Sequence, residues 1–179
     1  KRAKYEYIII SHDDFYYCPG WDDEFEKSIK HINHNRFYIS GTMVGAGQVY
    51  FDAGETAQSF NESKLLQNLR KIKTFDFQGT TKCPGLVHKE IWEKVGGWSE
   101  EFSPTGGDDT DFAMKLWQKQ IRIFKGLGKS SAYHFGSVTT RKNKNITRNN
   151  GKMTFLLKWK FTVEFFTKHY LQRGTIYKG

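Results

Sequence analysis

Hydrophobic and polar positions alternate between two kinds of segment along the chain. β-Branched and aromatic runs predict buried strands at residues 5–10, 36–44, 80–87, 121–127 and 131–134. Between and after them, apolar residues at helical spacing predict helices at residues 21–33, 61–73, 88–95, 108–120 and 154–171. Strands that alternate with helices in this way are typical of an α/β layer structure.

The size and composition of the chain are those of a folded domain. Its 179 residues are 37 % hydrophobic and 16 % aromatic, which is enough to form the core of a single domain over residues 1–179. No apolar run is long enough for a transmembrane helix. Cys18 and Cys83 lack the spacing of a metal site, and we expect two buried thiols in a reducing compartment.

The charge of the chain indicates an anionic partner. The formal net charge is +9, which suits nucleic acid, a phosphorylated ligand or a membrane surface. A basic, Asn-rich stretch at residues 141–152 is expected to be a loop.

Adjacent carboxylates follow the first predicted strand, in the stretch Ser11-His12-Asp13-Asp14. Ligands of open α/β sheets bind beyond the carboxyl ends of strands. Paired carboxylates there suit a hard divalent cation, which would relieve their mutual repulsion. An acidic turn that caps the next element explains the same residues equally well, so the sequence leaves both interpretations open.

A second acidic group marks the start of the helix predicted at residues 108–120. Asp108, Asp109 and Asp111 follow two glycines, and acids are favoured in the first turn of a helix. One acid would satisfy a cap, and this group exceeds that need. Because the helix buries one apolar face, its early acids are expected to project into a cleft.

His134 lies between aromatic residues at the end of the last predicted strand. A histidine in such a place is more often a packed side chain than a ligand. Imidazole binds Mn²⁺ and heavier divalent cations better than Mg²⁺. His134 therefore becomes a candidate ligand only if the fold brings it near the acidic groups.

Three stretches, taken in order, resemble a family 2 glycosyltransferase with the GT-A fold. They read SHDDFYYCPGW, then CPGLVHKEIWEKVGGWSEEFSPTGGDDTDFAMKL, then AYHFGSVTT. They are similar to that family's acidic DxD-type motif before Pro-Gly, its Gly-Gly segment, its acidic helix start and its His before a small-residue turn. Each motif is weak alone, and their order over nearly the whole chain is fairly specific.

The resemblance implies a Rossmann-like mixed sheet flanked by helices and the transfer of a sugar from a nucleotide-sugar to a hydroxyl acceptor. Such transfer serves glycan or polysaccharide biosynthesis, inverts the anomeric centre and uses Mn²⁺ or Mg²⁺. By position, Asp13, Asp14 and His134 resemble the metal ligands. Ser11 and Arg141, with the two aspartates, would contact the donor. The basic loop that contains Arg141 suits closure over the diphosphate and equally suits a solvated loop.

The acidic helix start resembles the catalytic part of the same family. Asp109 resembles the catalytic base, and Asp108 stands in for the Glu that usually precedes it. Trp98-Ser99 replaces the more usual Phe-Asp, which bears on acceptor binding, and Lys158-Trp159 resembles a pair near the end of some members.

In that family the DxD-type motif follows strands that hold the nucleoside, and here it begins at residue 11. The resemblance therefore predicts an N-terminally truncated catalytic domain, with a metal and acceptor core over residues 1–140 and a basic loop and closing helix over residues 141–179. An exposed sheet edge would favour homo-oligomers, and transfer by this chain would be weak or absent. The expected location is the cytoplasm, with attachment to the membrane periphery as a further option.

Two other function classes fit parts of the sequence. A non-catalytic glycan-binding module on the same scaffold would use the aromatic residues. A nucleic-acid-binding domain would use the basic charge, but the sequence has no recognisable motif for it, and the acidic groups would repel phosphate unless a metal covered them. We therefore expect a nucleotide-sugar and a glycan acceptor as partners, and no nucleic acid.

Overall fold

The computed structural model describes residues 3–103, 106–136 and 150–179. Within them, one mixed six-stranded sheet is flanked by helices, so the α/β class predicted from the sequence is confirmed. The strands are β1 (Tyr7–Ile10), β2 (Phe15–Tyr17), β3 (Phe37–Gly45), β4 (Phe77–Gln78), β5 (Gly85–His88) and β6 (Ile123–His134).

The helices lie close to the positions that the apolar spacing predicts. They are α1 (Trp21–Ile32), α2 (Glu62–Leu69), α3 (Lys89–Val95), α4 (Asp108–Gln118), α5 (Gly151–Trp159) and α6 (Val163–Phe165), with a 3₁₀ turn at Glu100–Phe102 and a π-helical turn at Phe166–Tyr170. The Asn61 side chain caps α2 by accepting a hydrogen bond from the Lys64 amide. Gly96, with a φ of 74°, ends α3. No helix within the described residues is long and apolar enough to span a membrane.

The sheet has the order β1-β5-β3-β6-β2, and β4 also pairs with β6. β1 and β3 both run antiparallel to β5, and β6 runs parallel to β3. The carboxyl ends of β1, β3 and β6 therefore lie at the same end of the strands. This end of the sheet is called the site edge below. β2 runs back from this edge, so that Phe15 pairs with His134.

The core lies on both faces of the sheet, because its central strand β3 is buried at every position. Phe37 and Ile39 pack with Phe25 of α1 on one face. Tyr38 points the other way and packs with Phe112 of α4. This alternation is the two-residue period of a strand that is covered on both sides.

The last strand differs from its prediction. Two short strands were expected where β6 runs without interruption, because the glycines and polar residues at 126–131 break the hydrophobic pattern but not the backbone pairing. The pairing with β3 shifts in register between Ser40 and Thr42. Gly126 is needed where it stands, because the Phe77 ring covers its α-carbon and leaves no room for a side chain.

The closing helix also differs from its prediction. It was expected to be continuous over residues 154–171, but Lys160 adopts a φ of 67° and ends α5. Thr162 then caps α6, its side chain accepting a hydrogen bond from the Phe165 amide at 3.1 Å. Leu171 lies outside the helical segments and is buried.

Candidate functional site

The site edge brings Asp14 next to His134, two residues far apart in the sequence. Asp14 lies in the turn between β1 and β2, and β2 returns along the end of β6. Asp14 Oδ2 lies 3.1 Å from His134 Nε2, and the two side chains are only 15 % and 13 % exposed. The fold thus meets the condition that the sequence left open for His134.

The hydrogen bond of the other ring nitrogen of His134, Nδ1, limits the protonation states that are open to this pair. His134 Nδ1 lies 2.7 Å from the Ala46 carbonyl oxygen, which can only accept, so Nδ1 carries the proton. Nε2 of a neutral ring then has a lone pair. Nε2 is buried and forms no hydrogen bond with any described residue. A lone pair that faces a carboxylate oxygen repels it, so the pair needs either a proton shared between Nε2 and the carboxyl group or a cation bound beside both atoms.

His12 completes a group that fits a metal ion. Three residues each offer one ligand atom, and these atoms lie within 4.8 Å of one another: His12, Asp14 and His134. His12 is exposed, and its ring stacks on Phe15 with the centroids 5.7 Å apart. Phe15 in turn contacts the His134 ring at 4.9 Å. Two imidazole nitrogens and one carboxylate suit Mn²⁺ or Zn²⁺ better than Mg²⁺, which prefers oxygen ligands.

Two other residues predicted from the first motif lie outside this group. Asp13 is exposed, and its carboxylate is not among the three clustered ligand atoms. Ser11 is also exposed, and its hydroxyl accepts a hydrogen bond from the Tyr17 hydroxyl. Their roles as metal ligand and donor contact stay predictions. Arg141 lies outside the described residues.

The start of α4 places Asp108 and Asp109 near the same edge, both half-buried. Lys82 Nζ lies 3.6 Å from Asp109 Oδ2. Burial and the Asp109 charge raise the pKa of Asp108, and the charge of His12 opposes this rise. Burial, followed by the charges of Asp109 and Asp108, also raises the pKa of Cys83 to about 12. These electrostatic interactions indicate that the α4 carboxylates lie near both His12 and the residues that precede β5.

Asp111, the third acid of the group, points to the interior and not to a cleft. It is fully buried and accepts hydrogen bonds from Trp159 Nε1 at 2.8 Å and Ser99 Oγ at 2.6 Å. Lys158 Nζ lies 2.9 Å from its Oδ1 and donates to Glu101 at 2.6 Å. Asp111 therefore links α5 to α4. This structural role accounts for the presence of a third acid at the start of α4 and of the Lys158-Trp159 pair in α5.

A pocket opens beside Asp108. Its volume is about 250 Å³, and its lining consists of Trp98, Ser99, Glu100, Phe102, Ser103 and Asp108. Aromatic surface with a few polar groups is the usual lining of a small-molecule site. Ser99 is held at its rim by Lys115 Nζ at 2.9 Å and Lys158 Nζ at 3.0 Å.

The sequence interpretation did not assign His12 or Lys82 to the site. His12 stands two residues before Asp14, a spacing that allowed both side chains to reach one ion, and this spacing is the signal that could have identified it. Lys82 gave no such signal, because its contact with Asp109 depends on how α4 packs near β5. Comparisons of the chain with protein-family models and with curated proteins give no match.

Proposed function

We propose that the protein is a metal-dependent glycosyltransferase that transfers a sugar from a nucleotide-sugar donor to a hydroxyl acceptor, using a GT-A-type fold. The observation that carries the proposal is the contact between Asp14 and His134 at the site edge. From the resemblance to family 2 glycosyltransferases, we expect an acidic residue of the first motif to lie beside His134 in this way. The acidic start of α4 adds a candidate base near the same edge.

The metal would be held by Asp14, His134 and His12. A divalent cation there would supply Lewis-acid stabilisation of the negative charge that develops on the leaving nucleoside diphosphate. The buried Nε2 of His134, which has no hydrogen-bond partner among the described residues and lies beside Asp14, supports this fit, because a cation would bind both groups. The hydrogen bond to Ala46 would keep the ring oriented for binding.

The acceptor hydroxyl must lose a proton as its oxygen attacks the anomeric carbon. Asp109 would take that proton as a general base, with the Lys82 ammonium beside it. Burial and the charge of Asp109 raise the pKa of Asp108, and the Asp108 carboxyl would contact the acceptor in the pocket that it lines. The rings of Trp98 and Phe102 would receive the acceptor sugar in the pocket.

The release of nucleoside diphosphate from sugar nucleotides in the presence of Mn²⁺ and candidate glycan acceptors tests the proposal. We expect the wild-type protein to release diphosphate at a low rate, and Asp109→Asn to lower that rate further, by at least about 100-fold, the lower end of what a general base contributes. Glu93→Gln, at an exposed acid of α3 that does not line the pocket, should retain most of the rate. Binding of glycans without any turnover would instead favour the non-catalytic module on this scaffold.

A further inference from the structure

Exposed apolar side chains are concentrated in the carboxyl-terminal helices. Met153 and Leu157 stand four residues apart on α5 and are 48 % and 64 % exposed. Phe165 and Tyr170 are 46 % and 37 % exposed. We use the name C-terminal face for the following set of residues: Met153, Leu157, Phe161, Phe165 and Tyr170.

The aromatic part of this face is one continuous group of rings. The centroids of Phe161 and Phe165 lie 6.0 Å apart, and Phe161 stacks on Tyr170 at 5.6 Å with an interplanar angle of 11°. The aliphatic part lies on a neighbouring element, because the ion pair between Lys152 and Glu164 joins the first turn of α5 to α6. A large exposed apolar patch is uncommon on a protein surface and marks a site of interaction.

The charges within residues 150–179 are almost all positive. Glu164 is the single acid in residues 150–179, and Lys152 neutralises it. The other basic residues with exposed side chains in this segment make no ion pair with any acid in the described part of the chain. They are Lys160, Lys168, Arg173 and Lys178. Lys160 adjoins Phe161 in sequence, and Lys168 adjoins the His169 ring that contacts Phe165 at 4.8 Å.

We propose that the C-terminal face docks on the surface of a membrane that contains anionic lipids. Rings and aliphatic side chains rimmed by lysines are the pattern of elements that lie in the interface plane of a bilayer. A second copy of the chain would bring two positive faces together, which disfavours a symmetric dimer here. Single-stranded nucleic acid would use the rings and the lysines, but it would leave exposed the aliphatic surface of Met153 and Leu157, which a bilayer buries.

Sedimentation with phospholipid vesicles tests this proposal without any sugar nucleotide, so its outcome is separate from that of the proposed function. We expect the protein to sediment with vesicles of phosphatidylcholine and phosphatidylglycerol, and not with phosphatidylcholine alone. Added salt should weaken the binding, because exposed charges are screened. The double variant Lys160→Gln/Lys168→Gln should bind at least about tenfold more weakly, since each lysine near an anionic surface contributes about fivefold.

Matched variants separate the face from general charge and hydrophobicity. Phe165→Gln should weaken vesicle binding, whereas Tyr50→Gln, at an aromatic residue that is 86 % exposed elsewhere, should not. Lys71→Gln/Lys73→Gln removes the same charge from another exposed region and should reduce binding less than the Lys160/Lys168 pair. Melting curves of each variant verify that it is folded.

Three results would overturn the proposal. The first is a lack of binding to anionic vesicles, and the second is an equal loss of binding in the control pair. The third is evidence for another occupant of the face. A single-stranded oligonucleotide bound through Phe165 and Lys168 in the absence of vesicle binding would make it a nucleic-acid surface. A concentration-dependent dimer that Phe165→Gln dissociates would make it a contact between copies.

Discussion

His134 is the residue whose surroundings constrain the site most closely. Its Nδ1 is committed to the Ala46 carbonyl, and its Nε2 faces the Asp14 carboxylate. A neutral ring in this arrangement repels its neighbour, so the pair must hold either a shared proton or a metal ion at Nε2. These two alternatives differ in a measurable way, because only one of them depends on an added cation.

Removal of either Asp14 or His134 should strongly weaken metal binding. We expect His134→Ala and Asp14→Asn each to weaken Mn²⁺ binding in calorimetry by at least about 10- to 100-fold, the range that loss of an outer-shell partner of a metal site already causes. His12→Ala should have a smaller effect, because its side chain is exposed.

Asp13→Asn is the matched control for that series. It removes the same charge from the adjacent position in the sequence, and its side chain lies outside the clustered group. Retained Mn²⁺ binding in Asp13→Asn would agree with ligation by Asp14. If Asp13→Asn loses the ion while Asp14→Asn retains it, Asp13 is the carboxylate ligand and the set of His12, Asp14 and His134 proposed here is wrong.

Asp108 should make stability depend on pH. Its folded-state pKa lies above the ordinary value of 3.8 because of burial and the nearby Asp109. Between these two pKa values the folded chain binds more protons than the unfolded chain, so stability falls as pH rises through that window. Asp108→Asn should therefore raise the melting temperature at neutral pH and lose this advantage below pH 3.8. An equal gain at both pH values would exclude a titration effect.

At the scale of elements, the link between α4 and α5 depends on one buried carboxylate. Asp111 accepts from Trp159 and Ser99 and pairs with Lys158. Removal of the Asp111 carboxylate leaves the partly buried donors of Trp159 and Ser99 without their acceptor, and leaves Lys158 with Glu101 as its remaining acidic partner. This effect is much larger than the loss of an exposed pair.

We expect Asp111→Ala to lower the free energy of unfolding by about 3 kcal/mol, the lower end of the range for breaking a buried pair. Urea denaturation followed by circular dichroism measures this change. Glu24→Gln, which breaks the exposed contact of Glu24 with Lys27, should cost less than about 1 kcal/mol. If the two variants lose equal stability, Asp111 does not join the helices as described.

The helices show which elements could be predicted from the sequence. Asn61 and Gly96 mark helix ends through local backbone chemistry, so the start of α2 and the end of α3 were predictable, whereas α2 ends at Leu69 and not near the predicted residue 73. β2 and β4 were missed, because three-residue and two-residue strands have no hydrophobic period and exist only through their pairing with β6. The break at Lys160 was missed for a related reason, since lysine normally favours helix and its left-handed conformation depends on the packing around it.

At the scale of the whole molecule, the sheet topology assembles the candidate site. The parallel direction of β1, β3 and β6 brings their carboxyl ends to one edge, and the return of β2 sets Asp14 against His134. The sequence predicted that acidic residues and His134 belong together only through the resemblance. The spacing of His12 and Asp14 allowed a shared ion but did not decide it, and nothing in the sequence predicted that Asp111 turns inward, because both depend on side-chain directions that the tertiary packing decides.

Self-association is the whole-molecule prediction that follows from the edge of the sheet. β1 is an outermost strand of the sheet. It pairs with β5 and has no second strand partner among the described residues. An open edge strand pairs readily with another strand, so we expect a homo-oligomer in light scattering. Ile9→Lys, a charge on an edge residue that is 37 % exposed, should shift the species toward monomer. A monomeric wild-type protein at high concentration would contradict this expectation.

A thermal-shift panel of UDP, GDP and dTDP sugars, each with Mn²⁺ or with a chelator, tests the central claim most directly. A ligand that binds only the folded state must raise the melting temperature. We predict a rise with at least one sugar nucleotide in the presence of Mn²⁺, and a loss of that rise with the chelator and in His134→Ala. If no sugar nucleotide raises the melting temperature in Mn²⁺, the site edge is not a sugar-nucleotide site and the proposed function is wrong.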